Sequence, residues 1–220
     1  MKKSFEAAKE KQDQLFDELA NLLGALSSPV RLKIFHFLTQ APHSVEQLAE
    51  KLDQSVANTS MHLKKLQRER LLITETQAQK RIYSLARPEM KDFWEQILGF
   101  FQIHDPGNVL SSEEIYGEDL DWDKTLDETI KMLLAKKIIL LDVRPLDEVD
   151  QDEPSYQHVL SIPYDEIKKR AGEIPKSKPV LVICRGRLCV MANEVTASLR
   201  KLGYNAYRLK FSWHQLASAL

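Results

Sequence analysis

The sequence predicts two domains of different class: a mainly α N-terminal domain and an α/β C-terminal domain with a mostly parallel sheet. Three observations carry this. Over the first hundred residues apolar side chains recur at helical spacing, ending in two short alternating runs. Beyond residue 124, continuous apolar runs rich in branched residues alternate with helical patterns. Between them, HDPGNVLSSEEIYGEDLDWD (104–123) holds 7 acidic and no basic residues, with Pro106, Gly107 and Gly117. It shows no sustained apolar period and reads as a linker. The predicted boundaries are 1–103, 104–123 and 124–220.

Composition narrows the classes. The 220 residues carry 31 Lys+Arg against 32 Asp+Glu, a net charge of −1, and are 43% hydrophobic. That apolar content supports ordinary cores and argues against wholesale disorder. Two cysteines do not make a disulfide scaffold. Residues 1–22 have charges every few positions and no apolar h-region, so no signal peptide is expected. Nor does any apolar run approach the roughly 18–20 residues of a membrane span. The expectation is a soluble cytoplasmic protein with reduced thiols and no membrane partner. The net charge hides unlike parts: +2 over 1–103, −7 over 104–123 and +4 over 124–220, with +5 concentrated in 54–87.

Element by element, residues 4–26 read as a long amphipathic helix with Phe5, Ala8, Leu15, Leu19, Leu22, Leu23 and Leu26 on its seam. A helix of that length at a chain end often packs on a second subunit. Ser28-Pro29 reads as an N-cap with proline at the first helical position, opening VRLKIFHFL. Ser44 to Gln47 forms a capping box before VEQLAEKL. Ser55 caps a further helix to about residue 70. LLITE, the polar turn TQAQK and RIYSL then suggest a β-hairpin. Two short helices, a tight turn between them and a hairpin describe a winged helix-turn-helix.

On the helix after Ser55, Val56, Thr59, Leu63 and Leu66 make a core face. Gln54, Asn58, Met61, Lys65 and Arg68 fall opposite, flanked by His62 and Lys64. Amides can bond base edges in the major groove, and lysines can neutralise phosphates. Ser55, Lys80 and Arg81 complete the candidate DNA-binding set, the last two at the hairpin tip. A solvated face on a protein–protein module is the alternative that local charge leaves open.

LGALSSPVRLKIFHFL, VEQLAEKL and QSVANTSMHLKKLQRERLL resemble the ArsR-type winged-helix repressors over about residues 15–87. The resemblance implies a homodimer built on the flanking helices at 4–26 and 88–103, and a palindromic double-stranded operator. In that family the commonest inducer is a metal held by thiolates in the first helix of the motif. Val45, Glu46 and Gln47 stand there, and no cysteine precedes position 184, so soft-metal binding at that site is not expected. Histidines 36, 43, 62, 104, 158 and 214 show no close metal-ligand spacing.

In the C-terminal part, Thr125 to Glu128 is a capping box for a helix to about residue 135. KIILLDV and PVLVI are buried strands, residues 190–202 are helical with Gly203 at the C′ position, and NAYRL is a short strand. Both cysteines fall in Cys184-Arg185-Gly186-Arg187-Leu188-Cys189, between the end of a buried strand and the start of a helix. Such loops bind ligands in parallel α/β folds. Their amides can converge on an anion beside a helix N-terminus. Arg185 and Arg187 add positive charge, expected to favour the thiolate of Cys184. An inert buried cysteine ending a strand is the plainer alternative.

This block resembles a rhodanese domain over about residues 124–210, through LLDVRP, VICRGRLC and LRKLGYNAYRL. The resemblance implies that Cys184 carries a transient persulfide and that no other cofactor is needed. The loop amides of Arg185, Gly186, Arg187, Leu188 and Cys189 would cradle its outer sulfur. Asp142 and Arg144 would support the loop. The family's Gly-His-Ile-x-Gly-Ala segment is replaced by YQHVLS (156–161), and its Gly-Gly…Trp ending by KFSWH (210–214). Phosphatase relatives need Cys-x5-Arg, and position 190 is Val190. Cys189 reads either as a resolving thiol or as a small apolar residue at a helix start. The combined expectation is a DNA-binding regulator that senses or carries sulfane sulfur from a donor such as thiosulfate or polysulfide. The alternative is a sulfurtransferase whose helix-turn-helix mainly dimerises or localises it.

Overall fold

The computed structural model describes residues 2–104, 115–116, 118–149 and 159–220. The chain divides into two compact units, 1–94 and 95–220.

In the first unit, α1 (Lys2–Leu26) is largely exposed: Phe5, Leu15, Leu19 and Leu23 of its apolar seam stay exposed among the described residues, Leu22 is half-buried, and Ala25 and Leu26 are buried. α2 (Pro29–Gln40) starts at the expected Ser28-Pro29, although the Ser28 side chain makes no cap hydrogen bond. β1 (His43–Ser44), which periodicity had not suggested, is too short to show a pattern. α3 (Val45–Leu52) opens with the expected Ser44–Gln47 capping box and closes on Asp53 in the left-handed region. α4 (Val56–Arg68) is capped by Ser55, whose hydroxyl accepts from the Asn58 N–H. It ends two residues before the expected stop, where Arg70 turns to φ 55°. β2 (Leu72–Gln77) and β3 (Lys80–Leu85) form the hairpin, with β1 on the far side of β3 in an antiparallel sheet of order β1-β3-β2.

The hairpin turn is tighter than the polar stretch suggested. Gln77 pairs with Lys80, leaving only Ala78 and Gln79 between the strands, both at positive φ. That backbone matches the twist of two-residue hairpins, at a steric cost that glycine or asparagine would avoid. α5 (Glu89–His104) begins in this unit and runs past its end at residue 94, and its Trp94 indole donates to His36 Nδ1 at 3.1 Å. The core gathers Ile34, Phe35, Leu38, Leu48, Leu63, Leu66 and Tyr83.

In the second unit, α6 (Leu126–Leu134) has the expected Thr125–Glu128 capping box. β4 (Ile139–Asp142), β5 (Val159–Ser161), β6 (Val180–Ile183) and β7 (Ala206–Arg208) form a wholly parallel sheet of order β5-β4-β6-β7. α7 (Ile167–Arg170) lies between β5 and β6, and α8 (Val190–Lys201) joins β6 to β7. Gly203 takes φ 81° just beyond α8. α9 (Trp213–Ala217) begins with a Ser212–Gln215 capping box. One face of the sheet buries Val180, Val182 and Ala206 with Val195 and Leu199 of α8. The other buries Leu140, Leu181 and Ile183 with Ile130, Leu133 and Trp213.

The expected linker is shorter at its C-terminal end. Residues 105–114 and 117 lie outside the described residues, but 118–123 belong to the α/β unit. Asp121 bridges to Arg208 in parallel, extending the sheet, and Arg208 Nε donates to Asp121 at 2.6 Å. Leu120 and Trp122 are buried. Arg200 donates to Glu118 and to the Asp119 carbonyl. The acidic residues that marked a linker are partly ion-pair partners of this unit.

Candidate functional site

The outward face of α4 is one candidate. Thr59, Leu63 and Leu66 are buried, which turns Gln54, Ser55, Met61, Lys64 and Arg68 fully outward, with Asn58, His62 and Lys65 half-buried beside them. Met61 is 60% exposed on this face. Val56 departs from the expected core face at 46% exposure, because it stands at the first helical position, ahead of the stretch that meets α2 and α3. Asn58 donates to Gln54, so the two amides are held together at the N-terminus of the helix. Lys65 reaches Glu69 at 3.5 Å. Gln67 donates to Thr74, tying α4 to the wing.

Arg31 was not singled out by sequence. It lines an open groove of about 480 Å³ with Ala57, Ser60, Met61, His62, Lys64, Lys65 and Arg68. Its guanidinium is fixed by the carbonyls of Gly24, Ala25 and Ser27 at the end of α1. Partial burial and then the Arg31 charge hold His62 below the usual histidine range, so it is neutral near pH 7. Lys80 and Arg81 lie exposed at the start of β3, next to the turn.

The second candidate is the loop between β6 and α8. In this strand order the chain leaves β4 toward β5 on one side and β6 lies on the other. The loops after β4 and β6 therefore flank a topological switch point, where parallel sheets bind ligands. Both sulfurs belong to the apolar cluster between the sheet and α8, with Cys184 1% and Cys189 4% exposed. Gly186 makes the return possible at φ 83°; a Cβ there would stand 3.2 Å from Ser212 Cβ. The Cys189 N–H closes the turn on the Gly186 carbonyl at 3.1 Å, and Cys189 is the N-cap of α8. Leu188 is exposed and Arg187 half-exposed on this loop, whereas both cysteines are buried.

The two thiols hydrogen-bond to each other. Cys189 is pulled down to about 6, first by the Cys184 thiol donating to it, against the cost of burial, then by the N–H groups of Arg185 and Ala192 and the Arg185 charge. Cys184 is pushed up, first by giving that hydrogen bond and then by burial. The pair thus holds one thiolate near neutral pH and resists losing its second proton. The Arg185 charge favours the Cys184 thiolate in the expected direction, and the fold adds a sulfur neighbour that shares the ionisation.

The loop after β4 is an electrostatic frame. Asp142 and Arg144 form a buried bidentate pair, with Arg144 Nη2 to Asp142 at 2.8 Å. Arg144 Nη1 donates to the Glu148 carbonyl, and its guanidinium lies 4.8 Å from the Trp213 ring centre. Glu148, fully buried, accepts from Arg185 Nε at 2.5 Å and Nη2 at 2.6 Å. The Arg185 guanidinium, read from sequence only as added positive charge, pairs with Glu148 and clamps the two loops together, while Arg187 stands on the solvent side of the loop. Sequence reasoning missed Glu148 because it sits among acidic residues that look like a solvated run.

A family model described as a helix-turn-helix domain matches residues 26–76, and one described as a rhodanese-like domain matches residues 125–219. The chain carries a helix-turn-helix domain and a rhodanese-like domain. Over 195 residues it is 24% identical to the HTH-type transcriptional regulator Rv0324 of Mycobacterium tuberculosis, covering 89% of this chain and 85% of that one. Reduced HlyU from Vibrio cholerae is 28% identical, aligning 42% of this chain with 97% of its own at a TM-score of 0.38. The homodimeric winged helix-turn-helix DNA-binding domain Mb0332 from Mycobacterium bovis is 22% identical, aligning 42% with 86% at a TM-score of 0.41.

The helix-turn-helix match contains Gln54, Ser55, Asn58, Met61, His62, Lys64, Lys65 and Arg68 of the expected DNA-binding set, with Lys80 and Arg81 just beyond its end, and the rhodanese-like match contains Asp142, Arg144 and the whole cysteine loop. Among the described residues no three His, Cys, Asp or Glu side chains gather as a metal-ligand set. Among them, too, no helix is long and apolar enough to cross a membrane.

Proposed function

We propose that this protein is a homodimeric, DNA-binding transcriptional regulator whose rhodanese-like domain takes sulfane sulfur onto Cys184 and thereby alters operator binding. The observation that carries the reading is the coexistence, in one chain, of an outward amide-and-lysine face on α4 and a hydrogen-bonded dithiol at the switch point of the second domain. On α4, Gln54, Asn58 and Met61 would face base edges while Lys64, Lys65, Arg68, Lys80 and Arg81 neutralise phosphates. A palindromic operator would follow from two such helices related by the dimer axis.

In the loop, the amides of residues 185–189 would hold the outer sulfur, and Arg187 would draw in an anionic donor such as thiosulfate or polysulfide. Covered sulfurs favour small donors over bulky ones. The group loaded is a persulfide on Cys184, so the domain needs no resident cofactor. The relative's title as a transcriptional regulator supports the DNA half of this reading.

Two measurements test the halves. Fluorescence anisotropy with labelled DNA from upstream of the gene should give a dissociation constant of about 10⁻⁸ M or tighter at physiological salt. Binding no tighter than to random DNA contradicts the first half. Brief donor treatment followed by alkylation and peptide mass spectrometry should find Cys184 modified. A fully alkylatable Cys184 contradicts the second. Sustained thiosulfate-dependent sulfur transfer with no effect on DNA would favour a sulfurtransferase.

A further inference from the structure

The cysteine loop holds one group that sulfur loading on Cys184 does not use. Cys189 is five residues on, yet its sulfur enters the same apolar cluster as that of Cys184, and the two thiols are within hydrogen-bond reach. The return is built into the backbone: Gly186 in the left-handed region, and the Cys189 N–H on the Gly186 carbonyl. The Arg185–Glu148 clamp and the packing of Gly186 on Ser212 fix the loop from both sides. Two buried thiols held face to face are poised to react with each other when one is made electrophilic.

We infer that Cys189 resolves the loaded state: its thiolate attacks the inner sulfur of a Cys184 persulfide, forming the Cys184–Cys189 disulfide and expelling hydrosulfide. The step rests on the reading that Cys184 accepts sulfane sulfur. It balances without an outside oxidant. The Cys189 S⁻ contributes the electron pair of the new S–S bond. The Cys184 S–SH bond breaks, and its pair leaves with HS⁻. The sulfane sulfur is reduced to sulfide while the two cysteine sulfurs are oxidised to a disulfide.

Cys189 suits the attacking role because the N–H groups of Arg185 and Ala192 and the Arg185 charge still favour its thiolate once Cys184 is loaded. The domain is then a single-turnover converter that turns a labile persulfide into a durable disulfide, until a cellular dithiol reduces it. A disulfide also pulls the sulfurs from hydrogen-bond separation to about 2.05 Å.

The test uses the full-length reduced protein under argon, treated briefly with thiosulfate, with intact and peptide mass spectrometry and a sulfide assay. Wild type should end 2 Da below the reduced mass, with the 184–189 peptide internally linked and one sulfide released per chain above the Cys189→Ser background. Cys189→Ser should stop 32 Da above its reduced mass, with persulfide on Cys184. Wild type that keeps the 32 Da adduct as long as Cys189→Ser overturns the resolving step while leaving sulfur acceptance intact. No modification at Cys184 in either protein overturns both. Within the wild-type arm, a 2 Da loss marks the disulfide and a persistent 32 Da gain marks an unresolved adduct, so this readout stands even if the variant folds poorly.

Discussion

Cys189 and Cys184 share a proton, and that sharing governs their reactivity. A thiolate reacts and a thiol does not, so alkylation should follow the first ionisation of the pair. With Cys189 pulled to about 6, the rate of its modification by iodoacetamide should rise through pH 6 and level off by about pH 7.5. An ordinary thiol would keep rising past pH 8.5. Cys184→Ala removes the donor to Cys189 and should move the midpoint up by at least one unit. Peptide-resolved alkylation rates against pH check both. Glu148→Gln should cost stability, because it leaves the Arg185 guanidinium partly buried without its anion. We expect about 2–3 kcal/mol in urea unfolding, below the full cost of breaking a wholly buried pair since Arg185 keeps some solvent. Both cysteines were legible in the sequence. The placement of the proton was not, because it depends on a sulfur–sulfur contact that only the loop's return creates. Glu148 was invisible for a similar reason: its partner lies 37 residues away.

At the scale of elements, α4 shows what periodicity reads well. Thr59, Leu63 and Leu66 are buried as their spacing requires, and the capping residues Ser44, Ser55 and Thr125 each stand where expected. Periodicity failed at ends. Val56 is exposed because the first turn of α4 precedes the core, and the hairpin turn shrank to Ala78-Gln79 because strand pairing overrode the polar composition of TQAQK. The outward face supports a salt prediction. Operator affinity should fall linearly on a log–log plot, and Lys64→Ala, Lys65→Ala or Arg81→Ala should each flatten the slope by roughly 1. An unchanged slope would remove that residue from the phosphate contacts. α1 supports another. Phe5, Leu15, Phe16, Leu19 and Leu23 are exposed in the single chain, an apolar stripe that a second copy would cover. Phe16→Asp with Leu19→Asp should halve the mass measured by sedimentation equilibrium and weaken operator binding with it. A double variant that stays dimeric would move the interface elsewhere.

For the whole molecule, net charge is a poor guide. The value of −1 averages a basic wing and α4 with an acidic stretch whose C-terminal part is folded into the second domain through Asp121 and Glu118. Fold class was legible because capping boxes, hairpin and buried strands are local signals. The 118–123 boundary was not, since its acidic residues are paired across the chain with Arg200 and Arg208. A regulator needs the two domains to communicate, which means that sulfur loading and DNA binding must bias one equilibrium and do so reciprocally. A coupling in the usual range of about 1–3 kcal/mol corresponds to roughly 5- to 150-fold in affinity.

That coupling is the central claim, and operator affinity measured on paired samples tests it most directly. Labelled upstream DNA would be titrated at fixed salt with fully reduced and sulfur-treated protein, in wild type and in Cys184→Ser. The account predicts a change of at least fivefold on sulfur treatment of wild type, reversed by a dithiol, and no change in Cys184→Ser. Equal affinities for reduced and sulfur-treated wild type, with Cys184 shown to be modified, would contradict it.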